Sequence, residues 1–410
     1  MKAVVFTLGC KVNSCESSSL MNGLEKLGYE VSDKLGYADI YILNTCAVTL
    51  EAEKKSRQAV ARLRKYNPDA SIYVIGCASQ NNPDDFLKKE GVRLVLGTAS
   101  KDKLLSMLSQ SGKHIEEAVC YYEEYLPVKS SHTRSYVKIQ DGCNNFCSYC
   151  LIPYLRGRSR SRSVESIRNE LDYLSPPEVV LTGINLSAYN YEGIDLTELI
   201  ERLNDYDFRL RLSSLEVGVV DQRFLNALKN LKNFAPHFHL SLQSGSTKVL
   251  KEMNRHYTAE EYLEKVDLIR KTFPDSAITT DVIVGFSSET NEDFEESYDT
   301  CKRASFADIH CFAYSPRKGT KAFELKELDP SVKHSRLVKM LELKSELKKD
   351  FIGKFIGKTL SFLPEEYKSG LSEGYSENYI RVYVEGKLPF EITKVKVIQP
   401  FLDGVKAKII

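Results

Sequence analysis

A chain of 410 residues, 42% hydrophobic and 28% charged, has the composition of a soluble protein and is long enough for two or three domains. No apolar run reaches the roughly 18 residues that span a bilayer, and the N-terminus lacks the long apolar region of a signal peptide. We therefore expect a cytoplasmic protein without a membrane partner, whose ten cysteines serve metal binding or catalysis rather than disulfides. The net charge of +1 leaves a nucleic-acid partner open, because RNA binding requires only a local basic patch.

Residues 1–115 alternate strand and helix patterns. Apolar, β-branched runs at 4–9, 39–45, 71–76 and 92–97 are separated by amphipathic stretches, which predicts an α/β domain with a parallel sheet covered on both faces. Residues 116–134 are polar and irregular, and we interpret them as a linker.

Residues 135–350 contain a second series of strand and helix patterns. Strands are predicted at 135–140, 178–183, 209–214, 237–242, 278–286 and 308–314, each followed by a helical pattern. Six such units predict a partial, TIM-like (β/α)6 barrel, with function at the carboxyl ends of its strands. A long helix pattern at 335–355 closes the series.

Residues 351–410 form short strand patterns divided by Gly, Pro and Ser. They predict a small all-β barrel of the kind that contacts nucleic acid, although a barrel for dimerisation or stability has the same pattern.

Three cysteines, Cys143, Cys147 and Cys150, lie within the run DGCNNFCSYC, just after the first predicted barrel strand. Thiolates at this spacing can bind neighbouring irons of one iron–sulfur cluster. Zinc is the competing interpretation, but structural zinc usually takes four protein ligands and no second CxxC pair follows. Three unrelated core cysteines are the remaining alternative.

A second set of cysteines, Cys10, Cys46 and Cys77, follows three strands of the N-terminal sheet. The carboxyl ends of parallel strands meet at one edge, where ligands bind. We therefore expect these thiols to converge on one site, with independent burial as the alternative.

The run CNNFCSYC resembles the CxxxCxxC motif of the radical S-adenosylmethionine (SAM) superfamily. The similarity narrows to the methylthiotransferases, which share TLGCKVN, NTCAV and GCASQ, together with IPYLRGRSRSR, TGINLSAY, RLSSLE, HLSLQSGSTKVLKEMNR, TDVIVGFSSET and YSPRKGT. The C-terminal barrel resembles a TRAM domain, a module that contacts tRNA. The resemblance covers essentially the whole chain.

The resemblance implies two 4Fe–4S clusters and SAM as cofactors. Cys143, Cys147 and Cys150 would bind the cluster that contacts SAM and yields a 5′-deoxyadenosyl radical. Cys10, Cys46 and Cys77 would hold the auxiliary cluster that carries the sulfur to be inserted. All six cysteines are accordingly predicted as catalytic metal ligands.

The resemblance also suggests contacts to SAM. Thr182, Gly183 and Asn185 map to the stretch that orients its amino group, and Arg255 would neutralise its carboxylate. Further candidates lie at or near later strands: Ser214 and Glu216 at the end of the third, Gln243 after the fourth, and Asp281 and Gly285 in the fifth. Each has a turn or packing role as its alternative.

Two basic groups are predicted to bind RNA. Arg156, Arg158, Arg160 and Arg162 alternate in RGRSRSR and would share one face of an extended segment, unless this is a solvated loop. The terminal barrel offers a basic and aromatic mixture: Lys394, Lys396, Lys406, Lys408, Tyr379 and Tyr383. We interpret His237, His239, Cys15, Cys120, Cys301 and Cys311 as structural.

Three methylthiotransferase branches act on threonylcarbamoyladenosine in tRNA, isopentenyladenosine in tRNA, and an aspartate of a ribosomal protein. GCKVN followed by ES resembles the first, which predicts modification of adenosine 37 beside the anticodon, with the tRNA anticodon loop, a low-potential electron donor and a sulfur donor as partners. The non-enzyme alternative is an RNA-binding protein with structural zinc. The chain departs from the family pattern at Val217, Ser287 and Ser288.

Overall fold

The computed structural model of the protein describes residues 1–117 and 133–410. Cys120 and most of the predicted linker lie outside the described residues. Among the helices described, none combines the length and apolarity that crossing a membrane requires.

The N-terminal part is a six-stranded parallel sheet between helices. Its strands are β1 (Lys2–Thr7), β2 (Glu30–Ser32), β3 (Ile40–Thr45), β4 (Ser71–Gly76), β5 (Val92–Leu96) and β6 (Gly112–His114). They pair in the order β2-β1-β3-β4-β5-β6. The helices are α1 (Lys11–Lys26), α2 (Leu50–Arg64), α3 (Cys77–Asn81) and α4 (Asp84–Leu87).

Strand β3 shows why this sheet is covered on both sides. All six of its residues are buried. Tyr41 and Leu43 pack into one apolar cluster, whereas Ile40 and Ile42 pack into another. Because side chains alternate across a strand, these two clusters lie on opposite faces of the sheet.

The central part is an open barrel of parallel strands, with two short antiparallel pairs in its connections. Its strands are β7 (Arg134–Lys138), β8 (Gln140–Asp141), β9 (Arg160–Ser161), β10 (Glu178–Thr182), β11 (Asn190–Tyr191), β12 (Ile194–Asp195), β13 (Arg209–Leu212), β14 (Ser214–Leu215), β15 (His237–Leu240), β16 (Ala277–Val284) and β17 (Asp308–Ala313). Strands β7, β10 and β13 form one parallel sheet, and β14 to β17 form another. The short antiparallel pairs are β8 with β9 and β11 with β12. Only Ser213 separates β13 from β14, so the two sheets follow one another around a single core.

Helices cover the outside of this barrel. They are α5 (Ile152–Arg156), α6 (Val164–Tyr173), α7 (Leu196–Glu201), α8 (Gln222–Lys229), α9 (Thr247–Glu252), α10 (Ala259–Thr272), α11 (Asn291–Ala304) and α12 (Pro330–Gly353). Capping boxes start α10 and α11: Thr258 pairs with Glu261, and Thr290 pairs with Asp293. Each pair satisfies amide groups that the first helical turn leaves without partners.

The C-terminal part is a closed five-stranded barrel. It comprises β18 (Thr359–Lys368), β19 (Leu371–Ser376), β20 (Arg381–Glu385), β21 (Thr393–Phe401) and β22 (Gly404–Ile409), in the order β18-β19-β20-β22-β21. All neighbours are antiparallel except β20 and β22. This architecture is consistent with the TRAM-like barrel that the sequence predicts.

A buried carboxylate joins this small barrel to the central one. Glu178 accepts from Arg209 Nε at 2.5 Å and Arg211 Nε at 2.9 Å, and it also pairs with Arg134. Arg211 in turn donates to the Ser376 carbonyl at 3.0 Å, inside the C-terminal barrel. Burial raises the pKa of Glu178, but the arginines outweigh this effect and hold it at about 2.

The predicted fold class is confirmed, and most strand limits agree within one or two residues. Strand β7 begins at Arg134, which the sequence had assigned to the linker. The edge strands β2 and β6 were missed, because three residues are too few to show an alternating pattern.

Candidate functional site

The barrel cysteines line a cavity of about 310 Å³. Cys143, Cys147 and Cys150 lie in the loop after β8. Asn254 fixes this loop by donating through Nδ2 to the Asn145 carbonyl at 2.7 Å. The thiols therefore share one wall of the cavity.

Nitrogen donors face these sulfurs. Arg255 Nη1 lies 3.5 Å from Cys147 Sγ, and Asn185 Nδ2 lies 3.8 Å from Cys143 Sγ. Burial raises the pKa of Cys143, and it raises the pKa of Cys150 to about 12. A bound metal would offset this effect of burial by supplying positive charge, so three thiols grouped on one wall can serve as thiolate ligands.

Two buried polar atoms in the cavity wall have no partner in the described chain. They are Asn185 Oδ1 and Arg317 Nη1. A buried polar group without a partner is costly, and a polar ligand in the cavity would satisfy it. Together with the three thiols, these atoms fit an iron–sulfur cluster with a polar cofactor beside it.

An ion pair forms a second side of the cavity. Arg255 Nη1 donates to Glu216 Oε1 at 2.9 Å, and Asn145 also donates to this carboxylate. The two charged side chains hold each other in place, so Arg255 stays directed at the cysteine loop.

Six of the nine residues predicted to contact the cofactor line this cavity: Asn185, Ser214, Glu216, Gln243, Arg255 and Asp281. Thr182, Gly183 and Gly285 do not line this cavity, and their contact with the cofactor stays a prediction. Thr182 is buried within β10. A Cβ at Gly183 would lie 2.9 Å from Gln140 Oε1, and Gly285 donates its amide to Glu289 at 2.7 Å, so both serve packing and turn formation.

Several lining residues were not predicted from the sequence. Tyr314 and Arg317 belong to YSPRKGT, a motif that was recognised but given no role. Val48 and Thr49 reach the cavity from the N-terminal part. Arg317 donates to Glu53 at 2.9 Å, and both side chains are 4% exposed, so this ion pair joins the barrel to α2.

The second cysteine triad lies at one edge of the N-terminal sheet. Cys46 and Cys77 directly follow β3 and β4, and Cys10 lies three residues beyond the end of β1. Burial raises the pKa of Cys46 to about 11, and Cys77 and Cys10 add smaller contributions in the same direction. Gly9 packs closely against Cys46: its φ is +107°, and a Cβ there would lie 2.7 Å from Cys46 Cβ.

Arg156 connects the two halves of the site. Its Nε lies 3.4 Å from Cys77 Sγ, while Nη1 donates to Glu16 Oε1 at 2.9 Å and Asp141 Oδ1 at 3.1 Å. Asp141 ends β8, immediately before the barrel cysteine loop. One buried guanidinium thus contacts Cys77, in the auxiliary triad (Cys10, Cys46 and Cys77), and Asp141, just before the loop that carries the barrel cysteines.

This position contradicts the predicted RNA-binding face. Arg156, Arg160 and Arg162 are at most 9% exposed. Arg160 pairs with Asp141 and Arg162 pairs with Glu170, so carboxylates within the protein neutralise these positive charges. Only Arg158 of the four is exposed.

The C-terminal barrel presents part of the predicted basic surface. Lys394, Lys396 and Lys408 are exposed, and Lys396 lies opposite Lys408 across β21 and β22. Lys406 pairs with Glu385. Tyr383 is buried with its hydroxyl on Asp403 at 2.5 Å, so it is unavailable for stacking on RNA.

The departures from the family pattern lie outside the cavity wall. Val217 is buried in the turn after Glu216. The Ser288 hydroxyl donates to Glu252, and Ser287 flanks it without lining the cavity. We expect these substitutions to affect local packing rather than the thiols.

Two family models match the chain. The radical SAM superfamily matches residues 137–301, and the uncharacterized protein family UPF0004 matches residues 2–97. The radical SAM match includes the barrel cysteines, and the other includes Cys10, Cys46 and Cys77.

A structure of TsrM, a radical SAM methyltransferase from Kitasatospora setae with cobalamin and a 4Fe-4S cluster bound, superposes with a TM-score of 0.56. The alignment covers 78% of this chain and 77% of that one at 14% identity. This similarity supports the fold alone.

Curated relatives match almost the whole length. The chain is 35% identical to the threonylcarbamoyladenosine tRNA methylthiotransferase MtaB of Bacillus subtilis (strain 168), over 100% of this chain and 97% of that protein. It is 37% identical to the tRNA-2-methylthio-N(6)-dimethylallyladenosine synthase of Thermoanaerobacter sp. (strain X514), over 83% of this chain and 77% of that protein. With this similarity and both cysteine triads in place, the chain belongs to the methylthiotransferase family of radical SAM enzymes.

Proposed function

We propose that this enzyme converts N6-threonylcarbamoyladenosine beside the anticodon of tRNA to its 2-methylthio derivative. The observation that carries the proposal is full-length similarity to relatives bearing this activity in their names, at 35%, 39% and 37% identity. The GCKVN run at the first cysteine of the auxiliary triad agrees with the same branch.

The barrel cavity is the proposed radical-generating centre. Membership of the superfamily implies a 4Fe–4S cluster and SAM, which together supply a 5′-deoxyadenosyl radical. Cys143, Cys147 and Cys150 would hold the cluster, and Arg255 would orient the methionine carboxylate. Asn185 would position the same cofactor through its free Oδ1.

A second cluster is proposed at Cys10, Cys46 and Cys77, where sulfur would be delivered to the substrate. The support is that the three cysteines follow adjacent parallel strands, β1, β3 and β4, at one edge of the sheet, and that Gly9 packs closely against Cys46. Three thiolates leave one iron of a cubic cluster without a protein ligand, and an exogenous sulfur would bind there.

We further propose a division of labour among three domains: residues 1–115 hold the auxiliary cluster, 135–350 generate the radical, and 351–410 bind RNA in the cytoplasm. Lys394 and Lys396 are suited to phosphate contacts because they are exposed on one face of β21. A low-potential electron donor and a sulfur donor complete the reaction as external partners.

The isopentenyl-type substrate is the second candidate, favoured by the relative that makes methylthio-dimethylallyladenosine. Mass spectrometry of tRNA nucleosides from a deletion strain separates the two. Loss of 2-methylthio-threonylcarbamoyladenosine alone supports the proposal, whereas loss of the dimethylallyl counterpart replaces it with the second candidate. Plasmid-borne wild type should restore the lost nucleoside, and Cys147→Ala should not.

Iron and sulfide analysis under anaerobic conditions tests the two clusters. We expect about eight irons for the wild type and about four for Cys46→Ala and for Cys147→Ala, because each cluster holds four. Cys147→Ala should abolish SAM cleavage, while Cys46→Ala should retain some. Zinc in place of iron, or equal loss of cleavage in both variants, would contradict separate roles for the triads.

A further inference from the structure

A second cavity of about 700 Å³ lies where the three parts of the chain meet. Cys10 and Lys11 contribute from the N-terminal part, His237 and His239 from the barrel, and Tyr379 from the C-terminal barrel. Ser214, Asp281 and Phe312 line both this cavity and the one with the barrel cysteines. A molecule in one cavity would therefore contact the wall of the other.

The carboxylates of the second cavity have partners within the protein. Asp281 pairs with His239 at 3.2 Å, Asp308 with Lys348 at 3.1 Å, and Asp403 with Arg381 at 3.2 Å. Asp308 and Asp403 are therefore each paired with a cation, whereas Asp281 is paired with a histidine that is charged only when protonated.

Lys11 differs from the other cations here. Within the chain that the structure describes, no hydrogen bond or ion pair involves its ammonium group, although Arg381 and Lys348 each have a carboxylate. It is partly buried at the start of α1. A partly desolvated cation that has no carboxylate partner of its own favours an anionic ligand in the cavity that it lines.

The shared wall offers a surface for a flat ring. Phe312 is a large apolar side chain that remains 43% exposed where the two cavities adjoin. Aromatic side chains of this kind stack on nucleobases. A base at Phe312 would face the barrel cysteines on one side and Lys11 on the other.

We propose that the second cavity receives the N6 substituent of the substrate adenosine and that Lys11 binds its carboxylate. This inference rests on the proposed function, because a threonylcarbamoyl group carries a carboxylate at neutral pH. A dimethylallyl group is a hydrocarbon and would leave the ammonium without a partner. Lys11 therefore determines specificity between the two kinds of modified adenosine.

The chain position of Lys11 gives this contact a second consequence. Lys11 directly follows Cys10. The backbone that carries a thiol of the auxiliary triad therefore also carries the substrate contact, and binding of the carboxylate fixes the adenosine beside that triad.

The test compares two anticodon stem-loop RNAs, one with threonylcarbamoyladenosine and one with its carboxyl methyl ester. Dissociation constants are measured without reductant for the wild type, Lys11→Gln and Lys11→Arg. Lys26→Gln, an exposed residue at the other end of α1, is the matched control. Preparations are compared at equal iron content, so that damage to the auxiliary triad is recognised.

We expect the wild type and Lys26→Gln to prefer the acid over the ester by about 10- to 100-fold, the usual range for one hydrogen bond to a charged group. Lys11→Gln should bind both RNAs alike, and Lys11→Arg should keep most of the preference. A Lys11→Gln variant that retains the preference, or weakens both RNAs equally, overturns the inference. If wild type methylthiolates the acid without preferring it, only the inference fails; if it does not modify that RNA at all, the proposed function fails too.

Discussion

Replacing Arg156 with Met removes the centre of the buried charge network between the N-terminal sheet and the barrel. The Arg156 side chain is 1% exposed and bonds to Glu16, Asp141 and Asn13. Removing one member of such a network costs about 3–5 kcal/mol, because the remaining charges stay desolvated. Lys101 still pairs with Glu16, so we expect the lower end, about 3 kcal/mol.

Anaerobic urea unfolding measures this loss. The chain has 23 Tyr and no Trp, so tyrosine fluorescence and far-UV circular dichroism are suitable signals. With a slope of about 2 kcal/mol per M, the midpoint of the Arg156→Met variant should fall by about 1.5 M. Arg158→Met is the matched control, because Arg158 is exposed and its guanidinium packs over the Phe146 ring, 4.4 Å from the ring centre. Midpoints of the two variants within about 0.5 M of each other would refute the reasoning.

Three further predictions concern the auxiliary triad, the domain interface and the RNA surface. Gly9→Ala should cost about four of eight irons because its Cβ would meet Cys46, whereas Gly28→Ala, with a similar φ of +86° and open space around it, should keep them all. The folded pKa of Glu178, about 2, lies below its ordinary value, so its stabilisation is complete above about pH 5 and is lost as the pH falls toward 2. Between pH 6 and pH 3.5 the unfolding free energy of wild type should thus fall about 1 kcal/mol more than that of Glu178→Gln, and parallel pH profiles in urea titrations would contradict this. Replacing Lys394 and Lys396 with Gln should lower the slope of log affinity for tRNA against log salt by about 1.4–1.8, and an unchanged slope would exclude them from phosphate contact.

The placement of the N-terminal cysteines was predictable because it follows from strand order. Cys46 and Cys77 come directly after β3 and β4, and parallel neighbours bring such residues to one edge. The RGRSRSR segment was predicted wrongly as an RNA-binding face. Its alternating arginines suggest a shared exposed face. Arg156 is instead buried in an ion pair with Glu16, which lies 140 residues away in the sequence. A pattern within the segment itself cannot reveal an ion-pair partner so far away in the sequence.

His239 shows a similar limit. Its place on an apolar strand favoured a structural role, and it does bond to Thr279 at 3.0 Å. It also lines the second cavity, because β16 and β17 bring Asp281 and His310 alongside it. Whether a strand residue faces the core or a cavity depends on the far side of the barrel, which the strand's own sequence does not encode.

The ion pair between Glu53 and Arg317 has a consequence for biosynthesis. The two residues are 264 positions apart, so at roughly 5–20 residues per second the arginine is made about 13–53 s after the carboxylate. Asn81 and Asn82 donate to Glu53 at 3.0 and 2.8 Å. Both belong to the N-terminal part and are made long before Arg317. The nascent sheet can therefore hold this carboxylate, and assemble Cys10, Cys46 and Cys77, before the barrel exists.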